Sequence, residues 1–268
     1  MLKRDRLYAI LREQNSVVVA YSGGVDSTYL LAASIEALGT EHVLAVTAVS
    51  PTYPASEMEE GAALASKLGA RQRFVHTDEL DDPRFASNPA ERCYYCKTHL
   101  FQDLAEIARS ENLGTVVYGA TQDDLGDHRP GMRAAKELGA LAPLLEAGLT
   151  KDEVRALSQE LQLPTWDKPA MACLASRFPY NSTITAQALK TVEQAEDFIR
   201  QEIGLRQIRV RHHGNIARLE VEPSDLNRAL QTSVRRRIVD RLKELGYIYV
   251  TIDLEGFRSG SMNETLPL

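Results

Sequence analysis

The stretch that decides the fold is Val17-Val18-Val19-Ala20-Tyr21-Ser22-Gly23-Gly24-Val25-Asp26-Ser27-Thr28-Tyr29-Leu30-Leu31-Ala32-Ala33. It begins as the apolar run of a buried strand and ends in the pattern of a helix. A tight turn between the two directs backbone N–H groups and the positive end of a helix dipole at one point, which makes an anion site. Gly23 and Gly24 let the backbone approach a phosphate without an intervening Cβ, while Ser22, Ser27 and Thr28 add hydroxyl donors.

The turn is not a Walker loop, because it lacks the lysine that such loops carry near their end. Ser-Gly-Gly-Val-Asp-Ser at a strand-to-helix junction resembles instead the PP-loop of the ATP pyrophosphatases. The resemblance implies that ATP is bound by Ser22, Gly23, Gly24, Val25, Asp26, Ser27 and Thr28. It also implies cleavage of ATP between its α and β phosphates, with adenylylation of a substrate oxygen and release of pyrophosphate. A glycine turn that only packs a helix on a sheet is the alternative.

The composition indicates an ordinary globular protein, since 44% of the 268 residues are hydrophobic and 25% are charged. A net charge of −6 argues against a broad nucleic-acid surface. No apolar run approaches the roughly 20 residues that span a bilayer, and the first residues lack the apolar core of a secretory signal. The odd count of three cysteines favours reduced thiols or metal ligands over a disulfide framework. We therefore expect a cytoplasmic protein with neither a nucleic-acid nor a membrane partner.

Strand-like and helical patterns alternate through the first two-thirds of the chain. Strands are predicted at 17–21, 43–49, 72–76 and 115–119, and helices near 27–38, 57–68, 98–111 and 150–162. This order predicts an α/β fold, a doubly wound parallel sheet of the PP-loop ATP pyrophosphatase type. Ligands of such sheets bind at the carboxyl ends of the strands. The PP-loop and the segments that begin at Ser50, His76 and Gly119 all follow such ends.

The proline-containing segment 163–170 is predicted to be a linker between two domains. We assign residues 1–168 to the PP-loop domain and residues 169–268 to a smaller α+β domain. In the second domain the pattern predicts a helix through Glu202 and a hairpin with strands at 208–211 and 216–221. A helix from Asp225 to Leu245 and a strand at 247–252 follow.

Asp26 lies inside the PP-loop and cannot contact a phosphate favourably unless a cation lies between them. Its expected roles are to cap the following helix or to accept N–H groups of the loop. Mg²⁺ is expected to balance the triphosphate charge and to help pyrophosphate leave. The acidic residues Asp123, Asp124 and Asp127 after the fourth predicted strand could supply its ligands. A solvated acidic loop is the alternative.

Cys93 and Cys96 form a Cys-x-x-Cys pair, and Cys173 lies much further along the chain. Such a pair is typical of redox dithiols and zinc knuckles alike, and a zinc knuckle would need four ligands. Three thiolates could instead hold three irons of a [4Fe–4S] cluster and leave the fourth iron open to exchangeable sulfide. Structurally inert thiols remain the alternative.

Five segments in the same order resemble the LarE family, the ATP-dependent sulfur transferases of nickel-pincer nucleotide biosynthesis. They are the PP-loop and residues 127–131, 166–170, 172–177 and 209–211. The similarity extends over nearly the whole chain. It implies a nucleotide substrate, pyridinium-3,5-biscarboxylic acid mononucleotide, whose carboxylates are adenylylated and converted to thiocarboxylates. It also implies that residues 169–268 bind the substrate and take part in sulfur transfer, and that the protein is a homotrimer or homohexamer.

The LarE family contains two sulfur chemistries. In one, the cysteine at the position of Cys173 gives up its own sulfur and becomes dehydroalanine. In the other, three cysteines hold a [4Fe–4S] cluster that relays sulfide from a sulfide donor. The presence of Cys93 and Cys96 favours the cluster type, with Cys173 as catalytic residue and all three as metal ligands. This inference rests on the number of ligands alone.

A mononucleotide carries a phosphate, which arginines bind well. Four arginines are expected to bind it: Arg177, Arg209, Arg211 and Arg258. Arg209 and Arg211 alternate onto one face of a predicted strand, although any one of the four alone would more often be a surface residue. Glu196 resembles a family acidic residue near the sulfur site, and it is expected to bind a metal or to orient Lys168.

Other activities on the same fold are rivals. A tRNA thiolase would share the ATP and sulfur chemistry, but it should carry a basic RNA platform or further zinc-binding cysteines. A synthetase that uses ammonia would not need Cys173. A nucleotide-binding sensor would hold ATP without producing pyrophosphate.

Overall fold

The structure is a computed structural model that describes residues 2–126, 129–169 and 172–266. The chain divides into two compact units, Met1–Glu79 with Glu91–Met171 and Leu80–Ala90 with Ala172–Leu268. The segment Leu80–Ala90 was assigned to the first domain by the sequence, but it packs within the second unit. There the side-chain amide of Asn88 donates to Pro179 O over 2.7 Å. The amide of Ile184 donates to Ala86 O over 2.8 Å.

The first unit is built on a parallel sheet. Its strands are β1 (Val17–Ala20), β2 (Val43–Val49), β3 (Arg71–His76) and β4 (Thr115–Tyr118). They lie in the order β3-β2-β1-β4, with Val17 level with Val43 on one side and with Thr115 on the other. All four correspond to predicted strands. Their carboxyl ends therefore share one edge of the sheet, as expected for a ligand site.

Helices cover both faces of this sheet. In chain order they are α1 (Lys3–Glu13), α2 (Val25–Leu38), α3 (Ala55–Lys67), α5 (Arg92–Ser110), α6 (Pro130–Glu137), α7 (Pro143–Glu146) and α8 (Lys151–Glu160). Helix α4 (Pro83–Ala86) lies between α3 and α5 in the sequence and belongs to the second unit. Val17 and Val19 belong to the same buried cluster as Leu30, whereas Val18 belongs to that of Leu104. Alternate residues of one strand are thus buried against opposite layers, which explains the unbroken apolar run. The predicted doubly wound α/β fold is confirmed.

Helix α5 begins six residues before the predicted start, so Cys93 and Cys96 lie in its first turns. Helix α6 was not predicted, because its eight residues are too few for a clear period and it begins at a proline. Among the described residues, no helix is both long enough and apolar enough to cross a membrane.

The second unit packs helices on a small mixed sheet. Strands β5 (Ile208–His213) and β6 (Ile216–Val221) form the predicted antiparallel hairpin, and β7 (Tyr249–Ile252) pairs parallel to β6. The larger helices are α9 (Ala186–Phe198), α10 (Leu226–Leu230) and α11 (Thr232–Glu244). Ile208 and Val210 of β5 share a buried core with Ala195 and Leu242. This core covers one face of β5. The alternate residues of the strand, Arg209 among them, lie on its other face.

Two helix predictions for the second unit were wrong in detail. The helix predicted from Asp225 to Leu245 is interrupted at Gln231, whose extended backbone (φ −56°, ψ 136°) ends α10 and begins α11. The helix predicted through Glu202 is α-helical only to Phe198 and continues as a π-helical turn. That turn ends at Gly204 in the left-handed conformation. Both changes reorient the chain locally, and no hydrophobic period in the sequence shows them.

Candidate active site

The PP-loop, residues 22–28, joins the end of β1 to the first turn of α2. Its serine hydroxyls hold the loop in shape, since Ser22 Oγ and Ser27 Oγ lie 3.0 Å apart. Ser27 Oγ also accepts from Ser22 N over 3.2 Å and donates to Gly24 O over 3.2 Å. Gly24 is the N-cap residue of α2 and has no side chain to occupy the N–H groups of the first turn. Such a helix N-terminus has the geometry that favours an anion, and ATP binding by this loop stays a prediction.

Glycines allow the backbone on both sides of the PP-loop to approach closely. Gly23 has a positive φ of +71°, and a Cβ there would lie 3.0 Å from the Cα of Gly61 in α3. A Cβ on Gly119, after β4, would lie only 2.9 Å from the backbone nitrogen of Ser27. Neither backbone neighbour can move aside as a flexible side chain could. The loop is thus held between α3 and the segment after β4.

Asp26 has a partner that the sequence did not indicate. Its Oδ2 accepts a hydrogen bond from Lys151 Nζ, and its buried Oδ1 has no hydrogen-bond partner among the described residues. Burial raises the pKa of Asp26, and the neighbouring Lys151 opposes that rise. The expectation that Asp26 caps α2 or accepts loop N–H groups is wrong, because its side chain is turned to a lysine.

Two of the acidic residues after β4, Asp123 and Asp124, accept hydrogen bonds from other groups of the chain. Asp123 Oδ2 accepts from the backbone N–H of Lys151 over 2.7 Å. Asp124 Oδ2 accepts from Thr121 N over 2.8 Å, and its Oδ1 lies 3.0 Å from Arg129 Nη2. Asp127 lies outside the described residues. These contacts give Asp123 and Asp124 a structural role, and Mg²⁺ ligation by them stays a prediction.

The three cysteines lie in different units. Cys93 and Cys96 are three residues apart on α5, so they share one helix face in the first unit, and both are partly exposed. Cys173 belongs to the second unit, where it precedes the 3-10 turn Leu174–Arg177. The described part of the chain contains no group of three or more His, Cys, Asp or Glu side chains arranged to hold a metal ion. The three-cysteine cluster therefore stays a prediction.

Arg177 makes a buried double ion pair with Glu196. Its Nε and Nη2 lie 2.9 Å from the two carboxylate oxygens, and neither side chain has any exposed surface. The remaining nitrogen, Nη1, donates to Ala172 O over 2.6 Å and to Cys173 O over 3.1 Å. Arg177 thus fixes the backbone that carries Cys173, and its guanidinium does not face solvent.

Glu196 is held by cations and a backbone amide. Besides Arg177 it accepts from Arg200 over 2.5 Å and from Val210 N over 2.9 Å. Burial alone would raise the pKa of Glu196, but Arg177, Arg200 and Arg209 together lower it to about 2. The expectation that Glu196 orients Lys168 is wrong, since these contacts account for both its carboxylate oxygens. Metal binding by Glu196 stays a prediction.

Lys168 has carboxylate partners within the first unit. Its Nζ lies 2.5 Å from Glu57 and 3.0 Å from Glu60, both on α3. Burial would lower the pKa of Lys168, but these two carboxylates raise it above its usual value. Lys168 therefore stays protonated and ties the linker to α3, the helix that also contacts the PP-loop at Gly61.

The other three predicted phosphate ligands differ in how deeply they are buried and in which groups they contact. Arg211 Nη2 lies 2.6 Å from the buried Glu220 and 2.9 Å from Ser261 Oγ. Arg258 is partly exposed and lies 3.2 Å from Glu264. Arg209 is buried, with its guanidinium 5.1 Å from the ring centre of Phe257. Burial and the like charge of neighbouring Arg177 lower the pKa of Arg209 to about 9, which leaves it protonated at neutral pH.

Comparison with known proteins relates this arrangement to a family. The NAD synthase family profile matches residues 6–89. An uncharacterised protein of Synechocystis sp. is 41% identical over 264 residues, which are 98% of each chain. The pyridinium-3,5-bisthiocarboxylic acid mononucleotide synthase of Lactiplantibacillus plantarum is 39% identical over 98% of this chain and 95% of its own. The chain belongs to the LarE family. A further relative, an uncharacterised protein of Methanocaldococcus jannaschii, is 30% identical over 92% of each chain.

Sequence reasoning missed two features of this LarE-family site. One is Lys151, which lies beside the PP-loop and forms an ion pair with Asp26. The other is Glu79, buried after β3, where Thr52 Oγ1 donates to its Oε1 over 2.8 Å and Ser50 donates to the same oxygen. Ser50 and Thr52 stand at the expected strand end, but no local pattern pairs them with Glu79. Only strand order brings these positions together.

Proposed function

We propose that this protein is an ATP-dependent sulfur transferase of nickel-pincer nucleotide biosynthesis. It adenylylates pyridinium-3,5-biscarboxylic acid mononucleotide and converts the carboxylates to thiocarboxylates. The observation that carries the proposal is the alignment over nearly the full length of both chains with the Lactiplantibacillus plantarum enzyme, which is named for the bisthiocarboxylic product. The intact PP-loop geometry described above supports it.

The first step is the activation of a substrate carboxylate by ATP. A carboxylate oxygen attacks the α phosphorus, the bond to the β phosphate oxygen breaks, and pyrophosphate leaves. The PP-loop residues that would surround the phosphates are Ser22, Gly23, Gly24, Val25, Asp26, Ser27 and Thr28. Backbone N–H groups fixed in this way stabilise developing negative charge without reorganisation. Mg²⁺ is proposed to accompany the triphosphate.

The second step is the attack of sulfur on the acyl adenylate. The nucleophile forms a bond to the carboxyl carbon and AMP leaves with the former carboxylate oxygen. Cys93, Cys96 and Cys173 offer the sulfur ligands that a [4Fe–4S] cluster takes, and the first two share a helix face. We propose that they hold one, which when bound supplies exchangeable sulfide from an external donor. The sacrificial use of Cys173 is the alternative within the same reaction.

The substrate phosphate is proposed to bind at Arg209, with Arg211 and Arg258. Arg209 supports this assignment because burial and the positive charges of neighbouring arginines destabilise its protonated form. A bound anion would stabilise that form. Arg177 is better placed to hold the backbone of Cys173 than to meet a substrate. A homotrimer or homohexamer in the cytoplasm is part of the proposal through family resemblance alone.

Turnover of the purified protein with ATP and pyridinium-3,5-biscarboxylic acid mononucleotide tests the proposal. AMP, pyrophosphate and a thiocarboxylate product are expected, and formation of ADP would contradict it. Cys93→Ser, Cys96→Ser and Cys173→Ser should each abolish iron content and repeated turnover if the three thiolates act as one unit.

The sacrificial alternative predicts a different outcome in the same experiment. Only Cys173→Ser would then be inactive, and each chain would transfer a single sulfur. Mass spectrometry after turnover would show dehydroalanine at position 173 in an iron-free protein. That result would reject the cluster and retain the sulfur transfer.

A further inference from the structure

The PP-loop contains no cationic side chain that could balance the charge of a bound triphosphate. Residues 22–28 include the acid Asp26 and no lysine or arginine. In a Walker loop a lysine within the motif reaches the β and γ phosphates. A triphosphate beside Asp26 would meet a like charge unless a cation from elsewhere in the chain lies between them.

Lys151 is a cationic residue from outside the loop that contacts Asp26. Its Nζ pairs with Asp26 Oδ2, although the two residues are 125 positions apart. The side chain of Lys151 keeps 33% of its surface exposed, whereas that of Asp26 keeps 19%. An ammonium group has three donor hydrogens and Asp26 accepts one of them. The ammonium group of Lys151 is therefore accessible to a ligand and has hydrogens left to donate to it.

The backbone of Lys151 is fixed independently of this ion pair. Thr150 caps α8 through a reciprocal capping box with Glu153, so α8 begins at Lys151. The backbone N–H of Lys151 donates to Asp123, which follows β4. Gly119, also after β4, packs against Ser27 N. Lys151 and the PP-loop are thus both held on the segment after β4, with their relative position set before any ligand arrives.

We propose that Lys151 is a phosphate-binding residue of the ATP site and that Asp26 positions it. This deepens the proposed function and rests on ATP being the ligand of the PP-loop. The Nζ group donates to oxygens of the β and γ phosphates while Asp26 keeps the lysine side chain directed to the loop. The separation in sequence explains why the motif itself lacks the expected cation.

Calorimetric titration of Lys151→Met with MgATP and, separately, with AMP tests the proposal. Removing a sequestered charged hydrogen bond costs about 1.5–3 kcal/mol, so the dissociation constant of ATP should rise by roughly 10- to 100-fold. AMP lacks the β and γ phosphates, and its affinity should stay within about threefold of that of the unchanged protein by the same reasoning. Lys151→Arg keeps the charge and should recover most of the ATP affinity.

Lys136→Met, an exposed lysine on α6, is the matched control and should leave both affinities unchanged. Equal weakening of ATP and AMP binding, or no weakening of either, would reject Lys151 as a phosphate ligand. If the unaltered protein bound no ATP, the proposed function itself would fail. If it bound ATP and Lys151→Met bound it equally well, only the assignment of Lys151 would fail.

Discussion

The PP-loop of the first unit and the arginines of the second unit (Arg177, Arg209, Arg211 and Arg258) are both candidate anion sites, yet they are built differently. In the PP-loop the important groups are backbone N–H groups, held by two serine hydroxyls and by close glycine contacts. In the second unit the important groups are guanidinium side chains. Two of them, Arg177 and Arg211, lie against the buried carboxylates of Glu196 and Glu220.

The comparison shows why one prediction could be made residue by residue and the other could not. The conformation of a short loop depends mainly on its own residues, so a motif describes it. The role of an arginine depends on which carboxylate the fold places beside it, and that carboxylate is remote in sequence. Arg177 was expected to bind substrate and instead holds the segment of Cys173.

The most severe test of this contrast is Arg177→Met, which leaves the buried Glu196 without its main partner. Breaking a buried pair in this way costs about 3–5 kcal/mol of unfolding free energy. Urea denaturation followed by circular dichroism measures it, with Arg258→Met as a control in which an exposed pair should matter little. If Arg177→Met kept its full unfolding free energy but lost substrate affinity, Arg177 would be a substrate ligand, as the sequence predicted.

Acid should weaken the same pair. The pKa of Glu196 is lowered to about 2 from an ordinary 4.5, so its ionised form stabilises the fold above pH 4.5. That contribution, on the order of 3 kcal/mol, is lost as the pH falls from 4.5 toward 2. Unfolding free energies of the unaltered protein and of Glu196→Gln, measured across this range, should converge at the acid end. Parallel curves would show that Glu196 does not carry this dependence.

The PP-loop should respond in function more than in stability. In Gly119→Ala the new Cβ would lie 2.9 Å from Ser27 N, so the loop must shift. Misplacement of a reacting group by about 1 Å can lower the reaction rate on the order of 100-fold. We expect adenylylation, followed by pyrophosphate release, to slow by that order, and ATP affinity measured by calorimetry to fall with it. Gly139→Asn is the control, because an added Cβ there meets no atom within 4 Å and asparagine tolerates the positive φ of +75°. Unchanged ATP affinity in Gly119→Ala would show that the loop does not depend on this contact.

Much of the fold could be predicted from local patterns. The strands of the parallel sheet and the β5–β6 hairpin follow from apolar runs and turn residues, because the backbone responds to neighbouring side chains over a few positions. The break at Gln231 could not be predicted in this way, since an extended residue between two helical stretches leaves the hydrophobic period nearly unchanged. The start of α5 at Arg92 was missed because residues 92–97 show no helical spacing of apolar and polar positions.

The PP-loop, the α/β order and the residue types available for sulfur chemistry can be read from the sequence alone, since each depends on neighbours along the chain. Only the tertiary structure decided the partners of charged groups: Lys151 for Asp26, Glu196 for Arg177, and Ser50 and Thr52 for Glu79. The physical reason is that a buried charge must be paired wherever the fold places it. Which two charges meet depends on the packing of whole elements, and no local pattern contains that information.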